Sequence, residues 1–224
     1  VNKGRYIVFD SVVLKGKLDM PPVFFSKLLD IRTGRYYDHD KVIKAQAKLK
    51  NLSFISLQSA PYVRFINDKA SVVLPVDPKA ASRFDFLIGV LPQTVGGVRK
   101  WAITGDLIAE MNNAFHAGEY IFFQFKRLQA DNLELIIKNN IPYLFNLPIG
   151  SHLDFKIYKN SNQNIDTYLD GGFQWLYNGY NSIKVFGSYR ASSLLEINLD
   201  QLKTIKKLPA KLDFSYSGIG AGIN

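Results

Sequence analysis

The chain has 224 residues, a formal net charge of +9 and 47% hydrophobic residues, which is enough for one large or two small folded domains. It contains no cysteine, which excludes disulfides, thiolate metal sites and cysteine nucleophiles. No run of about 18 apolar residues is present, which excludes a hydrophobic transmembrane helix; a membrane β-barrel escapes this criterion because half of each strand is polar.

The positive charge is spread along the chain and includes two groups of lysines, a pattern that also occurs in nucleic-acid-binding proteins. The groups are Lys41, Lys44, Lys48 and Lys50, and Lys203, Lys206, Lys207 and Lys211. The aromatic residues, 13% of the chain, occupy predicted strand positions and do not alternate with these lysines. We therefore interpret the lysines as a solvated helix face and a polar loop, and we expect no nucleic-acid partner.

The first predicted module covers residues 5–78 and begins with a strand over residues 5–15, where apolar and polar residues alternate. The Pro21-Pro22 pair then opens a helix, at the position where a missing amide donor costs least. The apolar stripe of this helix is Phe24, Leu28 and Ile31. Gly34 suits the position just past the end of the helix.

A second helix is predicted to begin after Asp38, a good N-cap residue. Its apolar stripe is Val42, Ala45, Leu49 and Leu52. Two strands follow at residues 61–66 and 70–76, joined by a tight turn at Asn67-Asp68. Pro75 lacks an amide donor, so we expect it at a strand end or a sheet edge. The two helices are predicted to cover one face of a small three-stranded sheet.

This order of strand, helix, helix, strand and strand resembles that of a POTRA (polypeptide-transport-associated) domain. The segment that carries the resemblance is FDSVVLKGKLDMPPVFFSKLLDIRTGRYYDHDKVIKAQAKLKNLSF, with a turn at Gly16 and a break between the helices at Gly34-Arg35-Tyr36-Tyr37. The resemblance implies an α+β POTRA-like periplasmic domain over residues 5–78.

The second predicted module covers residues 83–224 and consists of short segments in which apolar and polar residues alternate. The predicted strands are residues 83–91, 101–111, 119–127, 132–140, 151–160, 167–177 and 181–190, with an eighth beginning near Leu212. A tilted strand of about ten residues is long enough to cross a bilayer as part of a closed β-barrel.

The alternation gives each predicted strand two different faces. In the strand that begins at residue 151, one face carries Leu153, Phe155 and Ile157, and the other carries His152, Asp154, Lys156 and Tyr158. A soluble sandwich would turn the apolar face to a core, whereas a membrane barrel would turn it to lipid, and the pattern alone leaves both open. In a membrane barrel the charged mid-strand residues must face the lumen, because lipid accepts charges only at a high cost.

The connections between these strands are more specific than the strands themselves. The segments TGDLIAEMNNAFHAGEYIFFQF and IPYLFNLPIGSHLDFKIYK resemble the first strands of the BamA-type outer-membrane assembly factors. That family couples POTRA domains directly to an antiparallel transmembrane β-barrel, and residues 77–82 form a linker of suitable length. The resemblance covers nearly the whole chain and implies that residues 83–224 are the N-terminal part of such a barrel.

The chain also departs from the family pattern. The family barrel has sixteen strands and usually several POTRA domains, whereas this sequence supplies seven or eight strands and one POTRA-like module. The Arg-Gly-aromatic motif of the family's luminal loop is absent. A half barrel leaves open strand edges, which a bilayer does not tolerate. We expect that further residues lie beyond the two ends, in preference to completion of the barrel by another chain.

No pattern in the sequence indicates an enzyme, a metal site or a cofactor. The three histidines, His39, His116 and His152, lack metal-ligand spacing, and we interpret His152 as a hydrated luminal side chain. The glycine-rich segment 218–222 does not have the strand and helix context of a phosphate-binding loop, so we interpret it as part of a bent barrel strand.

The resemblance implies a function in assembly and insertion of other β-barrel proteins without covalent chemistry. In the family, the first barrel strand opens sideways as a lateral gate and pairs with an incoming client strand. The corresponding residues here are Phe84, Asp85, Phe86, Leu87, Ile88 and Gly89. The implied partners are unfolded outer-membrane proteins, periplasmic or lipoprotein accessory subunits and outer-membrane lipid. The implied location is the outer membrane of a Gram-negative bacterium, with the POTRA module in the periplasm.

The resemblance also implies a second client-binding edge in the POTRA module, at the strand over residues 61–66. Tyr62 and Arg64 are predicted on one side of that strand, and Val63 and Phe65 on the other. Two alternatives remain open from the sequence. One is a translocator that secretes a dedicated partner through the barrel. The other is a soluble barrel that binds a small apolar ligand, with an apolar interior and a charged exterior.

Overall fold

The computed structural model of the chain describes residues 6–95, 97–129, 132–160, 164–177, 181–194 and 213–223. The first unit contains β1 (Val8–Lys15), α1 (Pro22–Leu28), α2 (His39–Lys50), β2 (Ile55–Leu57), β3 (Tyr62–Ile66) and β4 (Lys69–Pro78). The second unit contains β5 (Arg83–Val95), β6 (Val98–Asn112), β7 (Tyr120–Arg127), β8 (Leu133–Ile141), a 3₁₀ turn (Leu144–Asn146), β9 (Ile149–Asn160), β10 (Asn164–Leu176), β11 (Ser182–Leu194) and β12 (Phe214–Ile223). Within these ranges neither α-helix has the length and apolar character needed to cross a membrane.

The first unit is a small mixed sheet with two helices packed on it. β4 is the central strand: β1 pairs with it in parallel, and β3 and β2 pair with it antiparallel. Alternate residues of β4 face the helices, so the strand contributes a continuous apolar row to the core. The main core residues are Phe9, Val12, Phe24, Phe25, Leu28, Val42, Ala45, Leu49, Ala70, Val72, Leu74 and Val76.

Two local predictions for this unit are confirmed. The carboxylate of Asp38 accepts a hydrogen bond from the backbone N–H of Asp40 at 3.0 Å, which caps α2. Asn67 and Asp68 both have positive φ, +47° and +60°, as a tight two-residue hairpin turn requires.

The predicted end of α1 is wrong, because the helix stops at Leu28 and not near Gly34. Asp30 adopts a left-handed conformation, with φ of +53°. Its N–H donates to the carbonyl of Lys27, and the N–H of Ile31 donates to that of Ser26, which together form a Schellman termination. The Nζ of Lys41 lies 2.7 Å from Asp30 Oδ2, so an ion pair holds an aspartate where glycine is commoner.

The predictions for Pro75 and for the number of strands in the small sheet also need correction. Pro75 lies within the central strand, at the position where the pairing with β1 ends, and its carbonyl accepts from the N–H of Gln58. The carbonyl and the missing N–H of Pro75 point to the same side of the strand, between Val73, where the pairing with β3 ends, and Val76, where the pairing with β2 begins. Its missing donor is tolerated because no strand is paired with Pro75 on that side. The sheet has four strands in the described residues, because Ile55–Leu57 adds a short strand that was not predicted.

The second unit is an eight-stranded antiparallel sheet in which neighbours in sequence are neighbours in space, from β5 at one edge to β12 at the other. The seven predicted strands and the eighth are confirmed, with their ends shifted by a few residues. The glycine-rich segment 218–222 lies within β12, as predicted. The sheet is not closed in the part of the chain that the structure describes. The fold is therefore an open eight-stranded antiparallel sheet preceded by a small mixed sheet with two helices.

The first unit packs against one end of the large sheet, the end at which β5 begins, called here the near end. The Phe24 ring of α1 meets the Tyr143 ring at 5.4 Å, nearly perpendicular to it. Gly118 approaches Phe24 so closely that a Cβ there would lie 2.2 Å from the ring. The Ser53 hydroxyl donates to Asn112 Oδ1 at 2.9 Å. Both turns that contact the first unit, β6–β7 and β8–β9, therefore lie at the near end.

Candidate functional site

The register of the large sheet sorts its side chains onto two chemically different faces. Directly paired residues share a face, so each set can be followed across three strands. Phe123 pairs with Ile137, which pairs with Phe155. One residue further along, Gln124 pairs with Ile136, which pairs with Lys156. The first set lies on what we call the apolar face and the second on the polar face.

The apolar face is the more exposed of the two, which is the reverse of a soluble protein. Along β10, Phe173 is 63% exposed and Trp175 is 55% exposed, whereas Gln174 between them is only 9% exposed. The pattern recurs on other strands. Other exposed apolar residues of this face are Trp101, Ile103, Leu107, Phe125, Leu153, Leu169, Ile183, Val185, Ile219 and Ile223. A face of this size needs an apolar surrounding.

The polar face carries ion pairs and hydrogen bonds between neighbouring strands. Lys156 Nζ lies 2.9 Å from Glu134 Oε1. An Arg190 nitrogen lies 2.7 Å from Asp170 Oδ2, and the hydroxyl of Ser188 donates to the other oxygen of Asp170. These charged groups neutralise one another on the sheltered side of the sheet, as expected for a hydrated lumen.

The predicted gate residues lie on β5, at one edge of the large sheet. Phe84, Phe86 and Ile88 lie on the apolar face and are 67%, 78% and 72% exposed. The other three lie on the polar face, where Asp85 pairs with Ile108, Leu87 with Asp106 and Gly89 with Thr104. In the described residues β5 pairs with β6 alone, so the backbone on its other side is open. The structure therefore places the predicted gate strand at a sheet edge.

A groove of about 470 Å³ runs along the apolar side of this edge. Gly105 pairs with Ile88, and its missing side chain leaves space between Phe86, Leu107 and Phe125. The groove is therefore a place where an apolar side chain of an added strand can pack.

The second predicted edge, β3, lies at the border of the small sheet. In the described residues it pairs only with β4. Val63 is half-buried against the core, Phe65 meets the Tyr37 ring at 5.3 Å, and Tyr62 and Arg64 are exposed. β3 and β5 belong to different sheets, so the structure does not combine the two predicted sets into a single site.

Burial shifts the pKa of several ionisable groups of the first unit, among them Tyr37 and Lys27. Burial, with a smaller effect of Asp38, raises the pKa of Tyr37, whose hydroxyl lies 2.7 Å from His39 Nδ1. Burial lowers the pKa of Lys27, whose Nζ lies 5.8 Å from the centre of the Tyr143 ring. The three histidines lie apart, in α2, in the turn after β6 and in β9. No group of three metal-ligating side chains occurs in the residues that were described.

Sequence reasoning missed the contact between the two units. Phe24 was predicted as a core residue of α1, but its partners include Tyr143 and the turn at Gly118, about 100 residues away in sequence. Its burial is complete only because two turns of the large sheet cover it. The available hint was the length and apolar character of the turn over residues 142–148, which has no helical or strand period that would indicate a packing surface.

Comparison with known proteins shows the fold of this chain. No protein-family model and no curated protein matches it. Among solved structures, BamA from Haemophilus ducreyi lacking POTRA domains 1-3 aligns with 97% of this chain at a TM-score of 0.55 and 13% identity. CdiB from Acinetobacter baumannii aligns with 97% at a TM-score of 0.57 and 13% identity.

Both neighbours are Omp85-family β-barrels of Gram-negative outer membranes. The chain spans 43% of the BamA structure and 42% of the CdiB structure, less than half of each. The eight-stranded sheet thus resembles a partial Omp85 barrel. The likeness is equal for BamA and CdiB, so it supports the shared fold and does not distinguish between them.

Proposed function

We propose that this chain is part of an Omp85-type outer-membrane protein that inserts other β-barrel proteins by pairing with their strands at β5. The observation that carries the proposal is the combination of an outward apolar face with an open edge on the first strand of the sheet. Strand pairing needs no catalytic residue and no cofactor. The likeness to BamA supports the proposal at the level of the fold.

The driving force for this reaction is backbone hydrogen bonding in a medium without water. Each unsatisfied N–H or C=O in lipid costs several kcal/mol, so an open edge at membrane depth favours a client strand strongly. Phe84, Phe86 and Ile88 would contact lipid while the backbone of β5 pairs. The groove beside Gly105 would accept an apolar side chain of the client.

The test is a pair of proline variants, Leu87→Pro and Ile88→Pro, in the full-length protein. Successive N–H groups of a strand point to opposite sides, so one variant removes a donor from the open edge and the other removes one from the ladder with β6. The readouts are heat-modifiable gel mobility, which reports an intact barrel, and insertion of a client barrel into vesicles. We expect the variant that loses the open-edge donor to keep the mobility shift and to insert the client at a rate about tenfold lower or more. Loss of one template hydrogen bond of about 1.5 kcal/mol has this effect.

The other variant, which loses a donor of the β5–β6 ladder, is the control for damage to the barrel itself. It should lose the mobility shift, because the β5–β6 pairing is part of the fold. If both variants keep an intact barrel and insert the client at the wild-type rate, β5 is not the template.

The first unit is proposed to act as a POTRA module that receives clients or accessory subunits in the periplasm. Its order of elements supports this, as does its inclusion in the alignment with both solved barrels. β3 is the proposed binding edge, because a peptide strand can extend the sheet there through its backbone.

A second candidate function is secretion of a dedicated partner through the lumen, which the equal likeness to CdiB supports. A secretion protein would export its partner normally when the open-edge donor of β5 is removed and would fail to export it when the lumen is blocked. The soluble ligand-binding barrel is disfavoured, because it requires the apolar face to be sheltered and the polar face exposed, and the opposite holds along β10.

A further inference from the structure

A cleft of about 530 Å³ lies between the first unit and the near end of the large sheet. One wall is α1 and the loop after it, and the other is formed by the start of β9 and the end of β10. The lining residues on the sheet side are Pro148, Trp175, Leu176 and Tyr177. The cleft therefore lies at the border between the exposed apolar face and the polar first unit.

The wall from the first unit is polar and positively charged. It contains Ser26, Lys27, Arg32 and Thr33, with Val23 and Ile31 between them. Asp30 also lines the cleft, but its carboxylate is paired with Lys41 at 2.7 Å and with Arg32 at 3.3 Å. The wall thus carries two cations, Lys27 and Arg32, against one carboxylate that Lys41 also neutralises, so the wall attracts an anion.

The cleft adjoins an apolar groove on the outer surface of the sheet. This second space, about 400 Å³, shares Pro148 and Trp175 with the cleft. Its other walls are Ile149, Phe173, Ile183 and Val185, all on the apolar face, with Gln174 beside them. The two spaces lie next to each other, and we call them together the path: it is cationic at the first unit and apolar along the strands.

We propose that this path is a binding site for a glycerophospholipid of the periplasmic leaflet. The phosphate would lie near Lys27 and Arg32, and an acyl chain would lie in the groove between Phe173 and Val185. Trp175 and Tyr177 stand at the junction, where amphipathic rings are placed at a membrane–water boundary. This inference rests on the proposed membrane location of the sheet and adds a specific lipid contact from the first unit.

The pairing of charge with an apolar groove is what selects a lipid as occupant. A free anion would not contact the apolar groove, and a purely apolar ligand would not contact Lys27 or Arg32. The site also combines residues from both units, so a bound lipid would join the first unit to the bilayer edge. Burial of Lys27 agrees with this, because a phosphate replaces water around a partly desolvated cation more easily.

The test measures retention of phosphatidylglycerol on the full-length protein by native mass spectrometry after mild detergent extraction. The variants are Lys27→Gln with Arg32→Gln, and Arg32→Gln alone in case loss of Lys27 weakens the contact with Tyr143. The matched control is Lys44→Gln with Lys50→Gln, which removes the same charge from exposed positions of α2. We expect the double variant to retain about tenfold less lipid, Arg32→Gln an intermediate amount, and the control as much as the wild type.

Two further measurements separate the possible failures. Heat-modifiable mobility and recovery in the outer membrane are recorded for the wild type and for each variant. If the wild-type protein shows no mobility shift and is not recovered in the outer membrane, the membrane proposal itself is refuted. With both intact, equal lipid retention in the double variant and the control refutes the lipid site alone. Inorganic phosphate at millimolar concentration should not displace the lipid, and displacement would show an anion site without a lipid.

Discussion

At the scale of single residues, Gly16 shows how tightly the first unit is closed. It ends β1 with φ of +144°, and a Cβ at this position would lie 2.0 Å from the carbonyl oxygen of Val76. The next N–H, that of Lys17, donates to Asp77 Oδ1 at 2.8 Å. Gly16 therefore meets two demands, an unusual backbone conformation and direct contact with another strand.

Replacement of Gly16 by alanine should destabilise the first unit by about 2–3 kcal/mol, because both the backbone and the space oppose a side chain. Gly34→Ala is the matched control. Gly34 also has positive φ, +82°, but nothing lies within 4 Å of its added Cβ, so the expected cost is about 1 kcal/mol. Hydrogen exchange of the β1 and β4 amides in the whole protein measures both values. An equal loss of unfolding free energy in the two variants would show that the backbone near Val76 moves to accommodate the added Cβ without further cost.

The end of α1 could not be predicted from the residues of the helix itself. Gly34 was the obvious terminator, since glycine tolerates positive φ without penalty. The helix ends earlier, at Leu28, and Asp30 takes the left-handed conformation, which the ion pair with Lys41 of the next helix stabilises. That pairing depends on where α2 packs, which the local sequence does not reveal. Asp38 was predicted correctly because its capping bond reaches only two residues along the chain.

At the scale of elements, the strands of the large sheet were predictable because each repeats a two-residue period over eight residues or more. β2 was missed because three residues cannot show a period. Pro75 was misjudged for a related reason: the rule that excludes proline from central strands assumes a paired strand on its N–H side. Here that side lies in the gap between the pairings with β3 and β2. The strands of the candidate site were thus predictable from the period of the sequence. Their position at the sheet edges was not in that period and came from the family resemblance.

The open edge of β3 leads to a prediction about client contact. A photo-crosslinking residue in place of Phe65 should crosslink to an unfolded outer-membrane client, because Phe65 is 52% exposed on the border strand of the small sheet. The same residue in place of Ile43, 62% exposed on α2, should not. Crosslinked products are identified by their mobility and by mass spectrometry.

The comparison of the two positions isolates the strand edge from general exposure. Ile43 is more exposed than Phe65 but lies on a helix, which offers no backbone template. Equal crosslinking at both positions would mean that clients touch the first unit without using β3.

At the scale of the whole molecule, the two faces of the sheet can be compared at adjacent residues of one strand. Ile136 and Ile137 are both in β8, have the same side chain and differ in the face they occupy. Ile137 lies between Phe123 and Phe155, and Ile136 lies between Gln124 and Lys156. The pair therefore tests which face meets lipid without any change of residue type or depth.

Ile137→Arg should destabilise the folded barrel by about 2–4 kcal/mol, because it places a charge in the lipid-facing band. Ile136→Arg should cost less than about 1 kcal/mol, mostly from its neighbour Lys156. Urea unfolding in lipid vesicles measures both. A soluble ligand-binding barrel would give the opposite order, since there the apolar face would be its interior.

The partial barrel could be predicted from the sequence, whereas the relation between the two units could not. The strand period specifies which residues share a face and does so without long-range information. The cleft with Lys27 and Arg32 on one side and Trp175 on the other joins segments that are far apart in the chain. No local pattern connects them, so their proximity appears only in the folded structure.

The seating of Phe24 against Tyr143 and Gly118 gives the first unit a second attachment, in addition to residues 79–82. A folded unit joined by one flexible segment rotates when a force is applied to it, and little of the force reaches its neighbour. A unit attached at two separated points cannot rotate freely and transmits the force. A strand that pulls on β3 would exert a torque on the β6–β7 and β8–β9 turns, so the force of capture in the first unit would reach the near end of the barrel.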